Sequence, residues 1–125
     1  MYVYDMSRAY KMTVTVEGYD PNLYCDVMIA AEEASAVEIQ RYTIDKRTYL
    51  YGDGETSLSG GQTEQQYADA VAKAVWVANG GKYCHVKVTC CYLENPPMYV
   101  MDQSKFDQMK EVVNAKVEAL ETSSD

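Results

Sequence analysis

The side chains best equipped for chemistry gather in one short stretch: Cys84, His85, Cys90 and Cys91, with Cys25 far away in the chain. A thiol beside an imidazole can act as an activated nucleophile, and three thiols with an imidazole can hold zinc. The spacing argues against both. Residues 83–93 alternate as a strand, with Cys84, Val86, Val88 and Cys90 on one face and His85, Lys87, Thr89 and Cys91 on the other. Strand neighbours point to opposite faces, so Cys84 and His85 cannot pair locally. Cys84 and Cys90 are six positions apart, roughly 20 Å along a strand, too far for one metal ion. Zinc ligands converge instead from a turn, two to four residues apart. His85 is the only histidine, so any Ser–His or Cys–His machinery would depend on it. The expectation is buried inert thiols, no catalytic residue, no metal and no cofactor.

Two glycine-rich stretches suggest ligand chemistry. Tyr51-Gly52-Asp53-Gly54-Glu55 places two carboxylates in what looks like a turn closing a strand. It lacks the ligand ladder and distal Glu of an EF-hand calcium loop, and turn chemistry accounts for its glycines. Ser59-Gly60-Gly61-Gln62-Thr63 opens a helix, and Gly60, Gly61 and Thr63 mark a helix N-terminus of the kind that can take an anion. The Lys and spacing of a P-loop are missing, so an ordinary cap is the competing reading.

The strongest compositional signal is aromatic. Twelve residues are Tyr, against one Phe and one Trp, and the net charge is −8. Many tyrosines stand within three residues of a carboxylate, as in Tyr19-Asp20, Tyr51/Asp53, Tyr92/Glu94 and Tyr99/Asp102. A core built for packing alone favours Phe and Leu, which carry no hydroxyl to satisfy. Tyr is enriched at interfaces. The predicted partner-binding residues are Tyr49, Tyr51, Asp53 and Glu55 on one loop, with Tyr92, Glu94 and Tyr99 on another. Trp76 flanks a helical stripe, as a core residue or as an exposed anchor.

Charge and length narrow the classes further. Ten acids and five bases fall in residues 1–62, and nine and six in 63–125, so the acidity is spread rather than held in a tail. A negative field disfavours direct nucleic-acid or anionic-membrane binding. The start, Met1-Tyr2-Val3-Tyr4-Asp5, lacks the basic and apolar regions of a signal peptide, and no run approaches a membrane span. A cytoplasmic protein with reduced thiols is expected. At 125 residues, one domain over 1–121 with a frayed tail at 122–125 is expected.

The elements that must position these residues follow from periodicity. Residues 11–17, 24–31, 37–44 and 47–51 are predicted as strands, with a short helix over 33–42 as the competing assignment for the third. Thr63 with Gln66 makes a capping box, and the helix it opens runs to about Ala78 and stops at Asn79-Gly80-Gly81. Tyr67, Val71, Ala74, Val75 and Ala78 form its apolar stripe. The strand over 83–93 ends at Asn95-Pro96-Pro97, and Ser104 caps a last helix that turns Phe106, Met109, Val113, Val117 and Leu120 inward. The order β-β-β-β-α-β-α predicts an α+β fold: an antiparallel sheet of four to five strands with two helices on one face. The other face would carry Thr13, Thr15, Glu17, Tyr24, Asp26, His85, Lys87 and Thr89.

Arg47-Thr48-Tyr49-Leu50-Tyr51-Gly52, Gly60-Gly61-Gln62-Thr63-Glu64, Val75-Trp76-Val77-Ala78-Asn79-Gly80-Gly81 and Tyr92-Leu93-Glu94 together resemble small accessory proteins of bacterial phages and mobile elements. The resemblance covers roughly residues 12–120 and carries no catalytic residue across. It implies a context in which small acidic proteins, anti-CRISPR proteins among them, inhibit host defence. The function expected is a non-enzymatic inhibitor that docks on a basic, nucleic-acid-binding surface of a host protein, with homodimerisation open. The alternatives are a sponge for a nucleotide signal, seated at the Gly60-Gly61 helix start, and an oligomeric accessory protein.

Overall fold

The computed structural model describes residues 9–57, 62–91 and 98–123. Its order is β1 (Ala9–Glu17), α1 (Tyr24–Ser35), β2 (Gln40–Ile44), β3 (Arg47–Ser57), α2 (Glu64–Ala78), β4 (His85–Cys91), β5 (Met98–Met101) and α3 (Gln103–Ser123). All strand pairs are antiparallel, in the order β2-β3-β1-β4-β5. The fold is therefore α+β, as expected, with three helices instead of two. Its first six elements follow the β-α-β-β-α-β order of the ferredoxin-like arrangement, which β5 and α3 extend.

Strict alternation builds the core. Met12, Val14 and Val16 of β1 and Val86, Val88 and Cys90 of β4 are fully buried against α1 and α2. On α2 the buried residues are Tyr67, Ala68, Val71, Ala72, Val75 and Trp76. Trp76 is a core residue, donating its indole N–H to the Cys84 carbonyl at 2.8 Å and packing edge-on to Phe106. The predicted capping box of α2 is present in both halves. Its other end stops where Gly80 and Gly81 adopt φ of 74° and 78°, which costs a glycine little. The buried Asn79 side chain ties that end down, accepting from the Asp20 N–H at 2.8 Å and donating to the Lys82 carbonyl at 3.0 Å.

Four assignments are corrected. Residues 24–35 are helix, not strand, so Tyr24 and Asp26 do not belong to the sheet's outer face. Cys25, Val27 and Ile29 alternate as a strand would, but the residues buried are Val27, Ala31 and Ser35, spaced as one helical face. The Asp20 carboxylate accepting from the Asn22 N–H, followed by Pro21, begins the helical run that looked like a turn. Second, the third strand is present and ends at Ile44 as expected, but it begins at Gln40 rather than 37, and no helix spans 33–42, because α1 ends at Ser35.

Third, Gly52-Asp53-Gly54 does not close a strand, since β3 runs straight through it. The segment 36–39 crosses the inner face of β3 there, burying Val37 and Ile39. A Cβ at Gly52 would run into the Glu38 carbonyl oxygen and stand 2.9 Å from Ile39 Cδ1. The glycine makes room for a crossing backbone. The crossing is anchored by the Tyr67 hydroxyl on the Ser35 carbonyl at 2.7 Å and by the Ile39 N–H on Glu32 Oε2 at 3.0 Å. The true turn is Asp45-Lys46, both at positive φ (52° and 67°), a two-residue hairpin loop between Ile44 and Arg47.

Fourth, β5 is an additional strand, and Asp102, not Ser104, caps α3 through its carboxylate on the Lys105 N–H at 3.0 Å. Along α3, Phe106 and Val113 are buried, but Leu120 is 59% exposed. The helix continues to Ser123, into the stretch expected as a tail.

Candidate functional site

The register that buries β1 and β4 on one side dictates what faces the other. Glu17 lies between Tyr49 and His85, Thr15 between Tyr51 and Lys87, and Thr13 between Asp53 and Thr89. Lys11 faces Glu55. β2 adds Gln40, Tyr42 and Ile44 at one edge, and β5 adds Met98 and Val100 at the other. Tyr42, Ile44, Met98 and Val100 are exposed large apolar side chains, and all four belong to this outer face. The Thr13 and Thr89 hydroxyls hydrogen-bond across its centre.

Tyr49, Tyr51, Asp53 and Glu55 occupy alternate positions of β3, so all four project from the outer face. They were expected on a loop; the straight passage of β3 makes them one ridge. The hairpin adds Tyr42, which the sequence reading missed. Its ring stacks on Tyr49 at 5.8 Å and meets Tyr51 edge-on at 6.1 Å. The pairing Tyr42↔Tyr49 across the Asp45-Lys46 turn was the available signal. The Tyr51 hydroxyl donates to Asp53 Oδ2 at 3.3 Å, and partial burial and the Asp53 charge hold the phenol above its ordinary range. The result is a three-ring cluster bordered by the Asp53 carboxylate, with Glu55 further along the same face of β3.

The electrostatics of this face differ from those of the whole chain. Glu17, Asp53 and Glu55 are matched by Lys11, Arg47 and Lys87 across these five strands, and Arg47 pairs with Glu17 at 3.4 Å. The net charge of −8 therefore comes mainly from helices, connections and termini. Of the face's acidic side chains, Glu17 lies opposite Tyr49 and Asp53 accepts from the Tyr51 hydroxyl, while Glu55 lies opposite Lys11.

The remaining predicted residues separate. Tyr99 lies on the inner side of β5, opposite Val88, and donates to Glu64 Oε1 at 3.0 Å, so it does not join Tyr49 and Tyr51. Tyr92, Glu94, Gly60 and Gly61 lie outside the described residues. Thr63 uses its N–H on Gln66 Oε1 and its hydroxyl on the Gln66 N–H, so the start of α2 is capped by its own side chains. Burial pushes the Cys84 and Cys90 thiols up to about 12, which keeps them protonated and poorly nucleophilic. Among the described residues no three His, Cys, Asp or Glu side chains converge as metal ligands, and no helix is long and apolar enough to cross a membrane.

Comparison with protein-family models, with curated proteins and with solved structures finds no match.

Proposed function

We propose that the protein is a non-enzymatic binding protein that docks a basic protein surface on its outer sheet face. The observation that carries this is the Tyr42/Tyr49/Tyr51 cluster with Asp53 at its border and Glu55 further along the same face of β3. Aromatic faces beside carboxylates are the chemistry that takes arginine: the rings stack on the guanidinium while the carboxylates accept its fork of N–H groups. Tyr42 is 42% exposed, so this aromatic area is not spent on the protein's own core. The net negative field speeds approach of a basic partner. A host effector that binds nucleic acid presents such a surface, and the counter-defence setting implied by the phage resemblance belongs to this proposal.

The test is capture from a bacterial lysate with wild type, Tyr42→Ala/Tyr49→Ala and Asp53→Asn/Glu55→Gln. A basic partner should be held by wild type and released as salt rises. The tyrosine variant should weaken it about thirtyfold or more, the scale of a lost hot spot. The carboxylate variant should flatten the salt dependence. Equal capture by all three proteins would refute the outer-face placement.

A further inference from the structure

On the helical side of the molecule, α2 packs against both α1 and α3, and the three helices leave a bowl of about 520 Å³ between them. That volume is within the usual range of small-molecule sites. Its floor is apolar: Ala30 of α1, Ala74, Val77 and Ala78 of α2, and Leu120 of α3. Ala74, Val77 and Ala78 occupy the arc of α2 that its buried residues, Val71, Val75 and Trp76 among them, leave free. Three of the five floor residues are alanines, whose short side chains leave the junction unfilled. Leu120 continues the stripe that buries Phe106 and Val113, yet it stays exposed at the wall of the bowl.

Three charged side chains complete the lining: Lys73 of α2, Lys116 of α3 and Asp26 of α1. The ion pairs among the described residues use Arg47, Lys82 and Lys105, so neither lysine of the bowl is neutralised by one. Two lysines against one aspartate leave the lining net positive, on a chain whose total is −8. Lysine stems lie along apolar surface while their ammonium groups stay in water, which suits both to the rim of an apolar floor. The dimensions favour a small molecule over a peptide. The lining covers residues 26–30, 73–78 and 116–120, about 6–8 Å along each helix at 1.5 Å per residue. A docked amphipathic helix lays several turns along its groove instead.

We propose that this bowl binds a hydrophobic carboxylate, with an apolar chain seated on the alanine floor and its acid group paired to the lysine ammoniums at the rim. Burial of the chain supplies the affinity, and the rim charge selects an anion. Asp26 repels the acid group from the α1 side, which directs it toward α2 and α3. The bowl lies among the helices and the tyrosine ridge on the outer sheet face, so the two proposals rest on separate observations and fail separately.

Decanoate and decylammonium, each below its micelle concentration, serve as probes in calorimetry at constant ionic strength. Decanoate should bind saturably and at least about tenfold more tightly than decylammonium, although the chain's net charge favours the cation. Lys73→Gln/Lys116→Gln should weaken decanoate about tenfold or more, the scale of a lost charge-assisted hydrogen bond, and so remove the preference. Ala74→Leu, which fills the floor without touching a charge, should weaken both probes. Lys110→Gln removes an exposed charge of α3 outside the lining and should leave binding as it is. The substituted lysines are in no ion pair and Ala74 is half-buried, so these variants retain the fold, which thermal unfolding checks. Absence of saturable decanoate binding, or equal binding of the two probes, would overturn the proposal. Undiminished decanoate binding by either the lysine or the alanine variant would do the same.

Discussion

Gly52→Ala tests the packing that turns β3 into the binding ridge. The added methyl group would strike the Glu38 backbone carbonyl, and a backbone group cannot rotate away as a side chain can. Overpacking of this kind costs about 1–3 kcal/mol. Relief requires the 36–39 segment to lift, which uncovers part of Val37 and Ile39, each worth about 1.5–3 kcal/mol when fully buried. A net loss of about 3 kcal/mol is expected. At about 2.1 cal/mol/K per residue, 125 residues give an unfolding entropy of about 0.26 kcal/mol/K, so the midpoint should fall by about 10 °C. The assay is thermal and urea unfolding followed by the single tryptophan, Trp76, which is fully buried. Gly54→Ala is the matched control. Its methyl would meet Val37 Cγ1 at 3.7 Å, an ordinary contact, and the strand gains backbone rigidity worth about 0.5–1 kcal/mol. Gly54→Ala should therefore be neutral or stabilising. If the two variants unfold together, the glycines serve no crossing and the account of β3 is wrong.

Two further outcomes are expected. Cys84 and Cys90 have folded pKa values raised by burial from 9 to about 12, so their stabilising contribution is complete below pH 9 and is lost as pH rises toward 12. By pH 10 the loss should be about 1.4 kcal/mol per thiol, read from urea unfolding, and alkylation of the native protein should reach Cys25 well before either; a flat profile to pH 10 would contradict their burial. Thr63→Ala should cost about 1 kcal/mol by removing the hydroxyl that caps α2, whereas Thr63→Ser should restore it, both measured by urea midpoint.

The candidate ridge was legible in part. Tyr49, Tyr51, Asp53 and Glu55 share one face because a strand repeats every two residues, and their spacing alone shows it once the segment is known to be extended. Their assignment to a loop came from taking Gly52 and Gly54 as turn residues. A glycine's local meaning is conformational freedom, but here Gly52 serves steric room for a segment that no nearby residue reveals. Tyr42 needed the hairpin register, and its turn, Asp45-Lys46, has the required positive φ without the usual glycine. The bowl beside Lys73 and Lys116 brings together residues of α1, α2 and α3, so spacing along the chain carries no trace of it.

Local chemistry was enough for α2, whose capping box and Asn79-Gly80-Gly81 stop are decided within a few residues, and for the inward faces of β1 and β4, where alternation admits one burial pattern. It also sufficed for the antiparallel α+β class, because amphipathic strands and helices bury their apolar faces only against one another. It was not enough for residues 24–35, where Cys25/Val27/Ile29 and Val27/Ala31/Ser35 are equally good patterns until packing against α2 selects the helical one. Nor was it enough for β5, whose four residues carry too short a pattern and which is defined by pairing with β4. Capping and alternation act between neighbours in the chain, whereas the crossing at Gly52, the ring cluster at Tyr42 and the bowl between the helices arise from contacts between segments that meet only when the chain folds.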